Sequence, residues 1–383
     1  MIQITDCLIL SLLPIHAEGA TAVMIPTATD YATERARFCA DAERLGAHLD
    51  RHVHPLGGPD GGELTTDVAR FGPPAGDAST VLVITSGLHG VEGHAGSGLQ
   101  HLLVESGRLG GLPASTAVVM VHSVNPYGHA WSRRVDHQNI DVNRNFLAEG
   151  EPPPVNALYG EVDHLLNPTG PTFDLDDTSF LTELGEWIGR VGAHEGFRAI
   201  SGGQYSHPAG IQFGGLAPSW SRRTLESIWA QHLDGAARVV ALDIHTGLGP
   251  CGVLTVFQTA DEDELAAGLG RAWFSDHLYR ADRDPEESLD TGLMGPGLDR
   301  WVDGRMESAA FVVEFGTHDP TVGVTVFRAD NWLHQHGDPR SEAALPIRAA
   351  VRDFFFVDDE GWRTQVAELG LGALHTALDG AAT

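Results

Sequence analysis

Cysteine is scarce in this chain of 383 residues. The three cysteines, Cys7, Cys39 and Cys251, are too few and too far apart for a disulfide framework or a cysteine-rich metal site. A chain with so few thiols is typical of a reducing compartment. We therefore expect a cytoplasmic protein.

Positive charge is also scarce. The chain has 24 lysines and arginines against 52 aspartates and glutamates, which gives a formal net charge of −28 at pH 7. Such a surface repels phosphate backbones and anionic membranes. We therefore expect neither a nucleic-acid nor a membrane partner, and we interpret the acidity as solvation of the surface.

A long apolar run is missing as well. The opening stretch 7–15 is apolar, but it lacks a basic start and is shorter than the roughly 20 residues that span a bilayer. We interpret residues 1–29 as an N-terminal extension and residues 30–383 as a single domain. The overall composition, 42% hydrophobic and 20% charged, is that of an ordinary globular protein.

Short apolar runs alternate with glycine turns and helical patterns along the chain. The runs are 80–85, 117–121, 239–244, 253–257 and 311–315, and helical spacing covers 180–191, 223–233, 262–273, 343–354 and 365–378. A further helix is predicted over 30–49, with Thr29 or Asp30 as its cap. Apolar, β-branched runs are typical of strands buried on both faces of a sheet. The pattern predicts a doubly wound α/β sheet, whose ligands gather beyond the carboxyl ends of the strands.

The first such strand end carries a histidine and a glutamate. Glycines at positions 87, 90 and 93 surround His89 and Glu92, so the backbone can turn sharply and direct both side chains into one crevice. An imidazole and a carboxylate are ligands that zinc accepts. Taken alone the His-x-x-Glu pattern is weak, because it arises by chance in many proteins.

A second histidine follows the strand 239–244. His245 lies where this strand ends and a glycine turn begins, and it would complete a set of two histidines and one glutamate. Asp243 points to the same side of the strand, where it can accept the other N–H of the histidine. The alternative is a structural aspartate beside a solvated histidine.

A glutamate stands near the end of the last apolar strand. Burying an unpaired charge is costly, so Glu314 within the run 311–315 requires an explanation. Near a bound zinc it would accept a proton from water and pass it to a leaving amine. A salt bridge at the edge of the sheet is the alternative.

One segment concentrates arginines in this otherwise acidic chain. The segment contains Arg133 and Arg134, followed by Asn143 and Arg144 in the string Asp-Val-Asn-Arg-Asn-Phe at 141–146. Arginine offers a planar fork for a carboxylate, and asparagine an adjacent donor. The segment is a candidate carboxylate site, with a solvated surface as the alternative.

Taken together, these motifs resemble those of the zinc carboxypeptidases and their aspartoacylase and succinylglutamate desuccinylase relatives. The shared order is His-x-x-Glu, Asn-Pro-x-Gly at 125–128, Asn-Arg-Asn-Phe at 143–146, Asp-x-His at 243–245 and a late strand glutamate. Within that superfamily the stretches 203–208 and 213–215 look most like a poorly characterised bacterial branch. The resemblance implies a three-layer α/β/α sandwich around a mixed, mainly eight-stranded sheet.

The resemblance also implies roles for individual residues. One zinc ion per chain would be held by His89, Glu92 and His245, and Glu314 would be the catalytic carboxylate. A substrate carboxylate would bind to Asn143 and Arg144. Carbonyl polarisation would fall to an upstream arginine, for which we choose Arg134, with Arg133 as the alternative.

The chain also departs from the digestive carboxypeptidases. Residue 127 is tyrosine where those enzymes have aspartate, and their mobile tyrosine has no certain counterpart; Tyr205 is a candidate, and a buried structural tyrosine is the alternative. The expected activity is a zinc-dependent cleavage of an amide bond beside a free carboxylate, in a small peptide, N-acyl amino acid or conjugate. An acylase or esterase on the same site, and a non-catalytic metal-binding protein, are the rivals. The sequence indicates no oligomeric state.

Overall fold

A computed structural model describes residues 23–150, 152–258, 265–279 and 292–383, and these residues contain eight strands and twelve α-helices. The strands are β1 (His48–Gly57), β2 (Glu63–Phe71), β3 (Thr80–Ser86), β4 (Thr116–His122), β5 (Arg238–Cys251), β6 (Leu254–Phe257), β7 (Leu278–Tyr279) and β8 (Glu307–Gly316). The helices are α1 (Tyr31–Arg44), α2 (Gly93–Glu105), α3 (Pro126–Trp131), α4 (Tyr159–Leu166), α5 (Phe180–Val191), α6 (Ala193–Ser201), α7 (Trp220–His232), α8 (Leu265–Phe274), α9 (Met294–Val302), α10 (Pro320–Gln335), α11 (Leu345–Phe355) and α12 (Glu360–Ala381).

All eight strands belong to one mixed sheet. Their order is β1-β2-β4-β3-β5-β8-β6-β7. The central strands β4, β3, β5 and β8 are parallel, whereas β1 with β2, β2 with β4, and β6 with β8 pair antiparallel. The predicted eight-stranded mixed sheet is confirmed.

Helices cover both faces of the sheet. Along β3, Leu82 and Ile84 face a core built with α1, α2, α8 and α12, while Val81 and Val83 face a second core with α7 and α9. This alternation follows from the two-residue period of a strand. It gives the three-layer α/β/α arrangement that was predicted.

The edges of the sheet differ from the sequence prediction. The helix predicted over 30–49 begins as expected, because Asp30 caps it through Thr33 N–H, but it ends at Arg44. Gly46 then adopts a φ of +70°, and the chain enters β1. Strands β1, β2 and β7 were not predicted; β1 and β2 mix charged and hydroxyl residues with apolar ones, so they lack the apolar run by which the other strands were recognised.

Two predictions fall partly outside the described residues. They are the N-terminal extension 1–29, of which 1–22 are not described, and the helix over 262–273, of which 262–264 are not described. Of the extension, Ile25 is described, and it is fully buried in the core that α1 and α2 share. The boundary at residue 29 stays a prediction. Within the described residues, the helices are all too short or too polar to cross a membrane.

Candidate metal centre and active site

Close backbone contacts shape the turn that carries His89 and Glu92. After β3, Gly87 adopts a φ of +63°, and a Cβ there would lie 2.4 Å from Ser123 Oγ. A Cβ on Gly90 would lie 2.2 Å from the backbone of Gly128 in α3. Only glycine fits at these two positions, so the turn is fixed against α3 and places both side chains beyond the end of the strand.

His245 and Glu314 arrive on neighbouring parallel strands. They are register partners on β5 and β8, so their side chains lie on the same face of the sheet. His245 Nδ1 is 2.9 Å from Glu92 Oε2, and His89 Nδ1 is 2.9 Å from Glu92 Oε1. One ligand atom from each of these three residues lies within 4.8 Å of the other two, and all three residues are buried. The fold therefore brings the three predicted ligands together.

Each histidine of this cluster has a carboxylate on its outer nitrogen. His245 Nε2 lies 2.5 Å from Asp243 Oδ2, and Thr85 Oγ1 donates to Asp243 Oδ1 at 2.5 Å. His89 Nε2 lies 3.1 Å from Asp141 Oδ1. Because the outer nitrogens face these carboxylates, the Nδ1 atoms that face Glu92 are the ones available to a metal.

The charges of the cluster shift one another. Burial raises the pKa of Glu92, but His89 and His245 outweigh burial and lower this pKa to about 2. Burial lowers the pKa of His245, but Asp243 and Glu92 outweigh burial and raise it well above its usual value. Burial, reinforced by the charge of Glu92, raises the pKa of Glu314 to about 8. The buried carboxylate of Glu92 therefore favours positive charge on the groups around it, either as a proton or as a bound cation.

The two adjacent arginines have different surroundings. Arg134 lies at the cluster: one guanidinium nitrogen is 2.8 Å from His89 Nε2, and the other is paired with Asp141 and donates to Gln212 Oε1 at 3.2 Å. Arg133 is 2% exposed, donates to the carbonyl of Asp136 at 3.0 Å and to Asn139, and lies 3.6 Å from a carboxylate oxygen of Asp330. Of the pair, Arg134 is therefore the one that the fold directs toward the predicted metal ligands.

The predicted carboxylate-binding residues form a group of their own next to Asp141. Asp141 accepts a hydrogen bond from Asn143 N–H at 3.0 Å and begins the short turn Val142–Arg144. The guanidinium of Arg144 donates to the carbonyls of Asn143 and Ser201, and Asn143 Oδ1 accepts from Met294 N–H. Tyr205 is buried, and its hydroxyl donates to the carbonyl of Arg144 at 2.6 Å. Asp141 thus joins this group to His89.

The family with the description "Protein of unknown function (DUF2817)" matches residues 28–368. The chain belongs to this family. None of the curated proteins compared with it matches.

Three solved structures illustrate what this DUF2817 protein is similar to. Thrombin activatable fibrinolysis inhibitor is 11% identical, with a TM-score of 0.47, over 93% of this chain and 77% of that one. Carboxypeptidase A from Helicoverpa armigera is 13% identical, with a TM-score of 0.43, over 85% and 73%. A protein assigned as a succinylglutamate desuccinylase/aspartoacylase from Shewanella frigidimarina is 15% identical, with a TM-score of 0.35, over 76% and 72%. An activity for this chain therefore has to be inferred from the residues of the site itself.

Sequence reasoning missed Asp141, which lies within the candidate site. Asp141 carries no charge-patterning signal, yet it is fully buried between His89 and Arg134. Burial raises the pKa of Asp141, but Arg134 and His89 outweigh burial and hold this pKa well below its usual range. Its position two residues before Asn143 is the only signal that could have found it.

Proposed function

We propose that this protein is a zinc-dependent hydrolase that cleaves an amide bond beside a free carboxylate and releases an amino acid from a small peptide or conjugate. One observation supports this above the others. The Nδ1 atoms of His89 and His245 converge on Glu92, and Glu314 stands beside them on the paired strand with a raised pKa.

The residues of the cluster fit zinc. Two imidazoles and one carboxylate are a ligand set of catalytic zinc sites, in which a fourth position stays open. The carboxylates on the outer nitrogens fix both rings, as metal-binding histidines require. When bound, zinc polarises a carbonyl and lowers the pKa of a water molecule.

Glu314 is the proposed general base. Leu248 N–H donates to Glu314 Oε1 at 2.8 Å, which orients the carboxylate and leaves Oε2 for the reacting water. The charge of Glu92 contributes to the raised pKa of Glu314. A cation bound at Glu92 would offset that charge and so lower the pKa of Glu314. A carboxylate with a pKa near the working pH can accept a proton from water and then donate it to the leaving amine.

The arginines have separate proposed roles. Arg134 meets the negative charge that develops on the carbonyl oxygen, since it is the cation that lies against the metal ligands. Arg144 and Asn143 bind the free carboxylate of the substrate, and Tyr205 supports the turn that carries them. Arg133 holds the loop through Asp136 and Asn139.

A small cavity beside Arg134 is the proposed start of the pocket for the rest of the substrate. Its lining is mixed: two side chains are charged, Arg134 and Asp330, three are polar, Asn139, Gln212 and Asn331, and three are apolar, Val135, Ile211 and Phe327. Such a lining suits a small, partly polar acyl group or side chain.

The deciding experiment combines a metal count with a substrate screen. The purified full-length chain is loaded with zinc and incubated with peptides and N-acyl amino acids, with and without a chelator, and products are identified by mass spectrometry. We expect chelator-sensitive release of a free amino acid. Glu314→Gln serves as the matched control, because it preserves volume and removes the base.

The products separate the rivals. Release from peptides supports a carboxypeptidase, whereas release only from N-acyl amino acids or esters indicates an acylase or esterase on the same site. Zinc binding at His245 without turnover of any class would favour a binding protein. Failure to bind zinc through His245 would overturn the proposal.

A further inference from the structure

A second group of two histidines and one carboxylate is buried where three helices meet. Glu34 lies on α1, His94 on α2 and His129 on α3. Their exposed fractions are 0%, 3% and 1%, and one ligand atom from each lies within 4.8 Å of the other two. The proposed reaction uses none of these three residues.

The ligand atoms of this group have the spacing of ligands on one ion. His94 Nδ1 is 3.0 Å from Glu34 Oε2, His129 Nε2 is 2.9 Å from the same oxygen, and the two nitrogens are 3.3 Å apart. Zinc binds its ligands at about 2.0–2.1 Å, so the ligand atoms of a tetrahedral ion lie roughly 3.3 Å from one another. A zinc ion can therefore contact all three atoms after shifts of a few tenths of an ångström.

The surrounding backbone supports this arrangement. Glu34 Oε1 accepts a hydrogen bond from Thr29 N–H at 2.9 Å, which leaves Oε2 facing both imidazoles. A Cβ on Gly93 would lie 2.6 Å from His129 Nδ1, so the start of α2 has room for this ring only because residue 93 is glycine. Outer hydrogen bonds of this kind orient carboxylate ligands in metal sites.

Charge gives a second, independent reason. The ion pairs of Glu34 are with His94 and His129. A buried carboxylate is costly unless its charge is balanced, and either a proton on one imidazole or a divalent cation can balance it. Only the cation also uses the lone pairs of both imidazoles. The outer nitrogens, His94 Nε2 and His129 Nδ1, are buried without a hydrogen-bond partner in the described part of the chain, so the polar contacts of both rings are those made toward Glu34.

We infer that Glu34, His94 and His129 form a second metal site, for a divalent ion of the zinc type, that joins α1, α2 and α3. The rings of Tyr31 and Phe356 pack around the group. This enclosure suits an ion that stabilises the fold.

A metal count on the full-length chain tests the site. Apoprotein prepared with a chelator is titrated with zinc chloride, and bound zinc is measured after gel filtration. We expect about two zinc ions per wild-type chain, about one in Glu34→Gln, about one in His245→Ala, and none in the double variant. Glutamine preserves the volume of Glu34 and an acceptor oxygen but removes the charge.

A third, more exposed group provides the matched control. Asp41, His101 and Glu105 also come within metal-binding distance of one another, but Asp41 and Glu105 are both paired with Arg44. We expect His101→Gln to keep about two zinc ions. If this variant loses one ion and Glu34→Gln loses none, the extra ion belongs to the exposed group and the inference is wrong.

The outcomes separate this site from the proposed catalytic one. One zinc in the wild type, absent from His245→Ala and kept in Glu34→Gln, would overturn the second site alone. One zinc absent from Glu34→Gln and kept in His245→Ala would overturn the catalytic centre alone.

Thermal unfolding gives a readout that does not depend on activity. In the His245→Ala background, a chelator is expected to lower Tm, because a metal at the second site stabilises the folded chain. The double variant should show no chelator effect. Should Glu34→Gln fail to fold by circular dichroism, His245→Ala decides: a zinc count near zero and an unchanged Tm with chelator would overturn the second site.

Discussion

The protein contains two buried groups of the same composition, two histidines and one glutamate, in very different surroundings. In the group of His89, Glu92 and His245, the outer ring nitrogens face Asp141 and Asp243. In the group of Glu34, His94 and His129, the outer ring nitrogens have no partner in the described residues. Glu314 and Arg134 lie beside the first group only, whereas aromatic rings enclose the second.

This difference shows that a set of metal ligands does not by itself determine whether a site can be catalytic. Either group has ligands of the kind that zinc accepts. Catalysis also needs a base, a group that stabilises developing charge and an opening for substrate. Strand β8 places Glu314, the proposed base, at one group, and the helices and rings around the other supply only enclosure.

The largest expected effect comes from His245→Ala. This change removes one of three ligands, and we expect loss of the catalytic zinc together with all measurable turnover. Zinc titration and product release by mass spectrometry check it. His101→Gln, an exchange at a partly exposed histidine outside the cluster, is the control and should retain both properties. Normal turnover in His245→Ala would show that the first group is not the catalytic one.

Glu314→Gln separates the base from the ligands. Since general-base catalysis contributes about 10²–10⁴-fold, we expect kcat to fall by roughly 10³-fold while the zinc count stays the same. Glu307→Gln, on the same strand but exposed and paired with Arg238, is the matched control. A kcat within about tenfold of wild type would assign the base to another residue.

The adjacent arginines test the proposed charge stabilisation. Arg134→Ala removes the cation at the cluster, and loss of such a group costs about 10²–10³-fold in kcat. Arg133→Ala breaks buried contacts to Asp136 and Asn139, so we expect a lower Tm. Measuring kcat and Tm for both variants distinguishes the two roles. If folded Arg133→Ala loses more kcat than Arg134→Ala, Arg133 is the charge-stabilising residue instead of Arg134.

The sequence predicted the centre of the fold better than its edges. Strands β3, β4, β5 and β8 are apolar on both faces and therefore stand out in the sequence. Strand β1 is largely exposed, and β2 carries polar side chains that become buried in the folded chain, which no local pattern shows. Asp67 in β2, for example, is paired with Arg35 in α1, 32 residues away.

The same reasoning explains which site residues were found. His89 and Glu92 follow the apolar strand β3, and His245 and Glu314 come directly after or within the apolar runs of β5 and β8, although β5 continues past His245 to Cys251. Their convergence could therefore be predicted from the parallel order of a doubly wound sheet. Glu34 meets His129 from 95 residues away on a separate helix. That contact depends on how three helices pack, which is a property of the folded chain and leaves no spacing rule in the sequence.

The smallest effect that we predict concerns the carboxylates that distinguish the two groups. Asp243→Asn weakens the support of His245, and we expect zinc affinity to fall about 10–100-fold, as for other outer partners of metal-binding histidines. Asp141→Asn should lower affinity similarly through His89, and it should also lower kcat at saturating zinc, because Asp141 is paired with Arg134. Competition with a zinc indicator and kcat at saturating zinc measure the two properties separately. Equal kcat losses in both variants would mean that Asp141 acts on the metal ligand alone, and unchanged affinity in both would mean that the outer carboxylates do not distinguish the first group from the second.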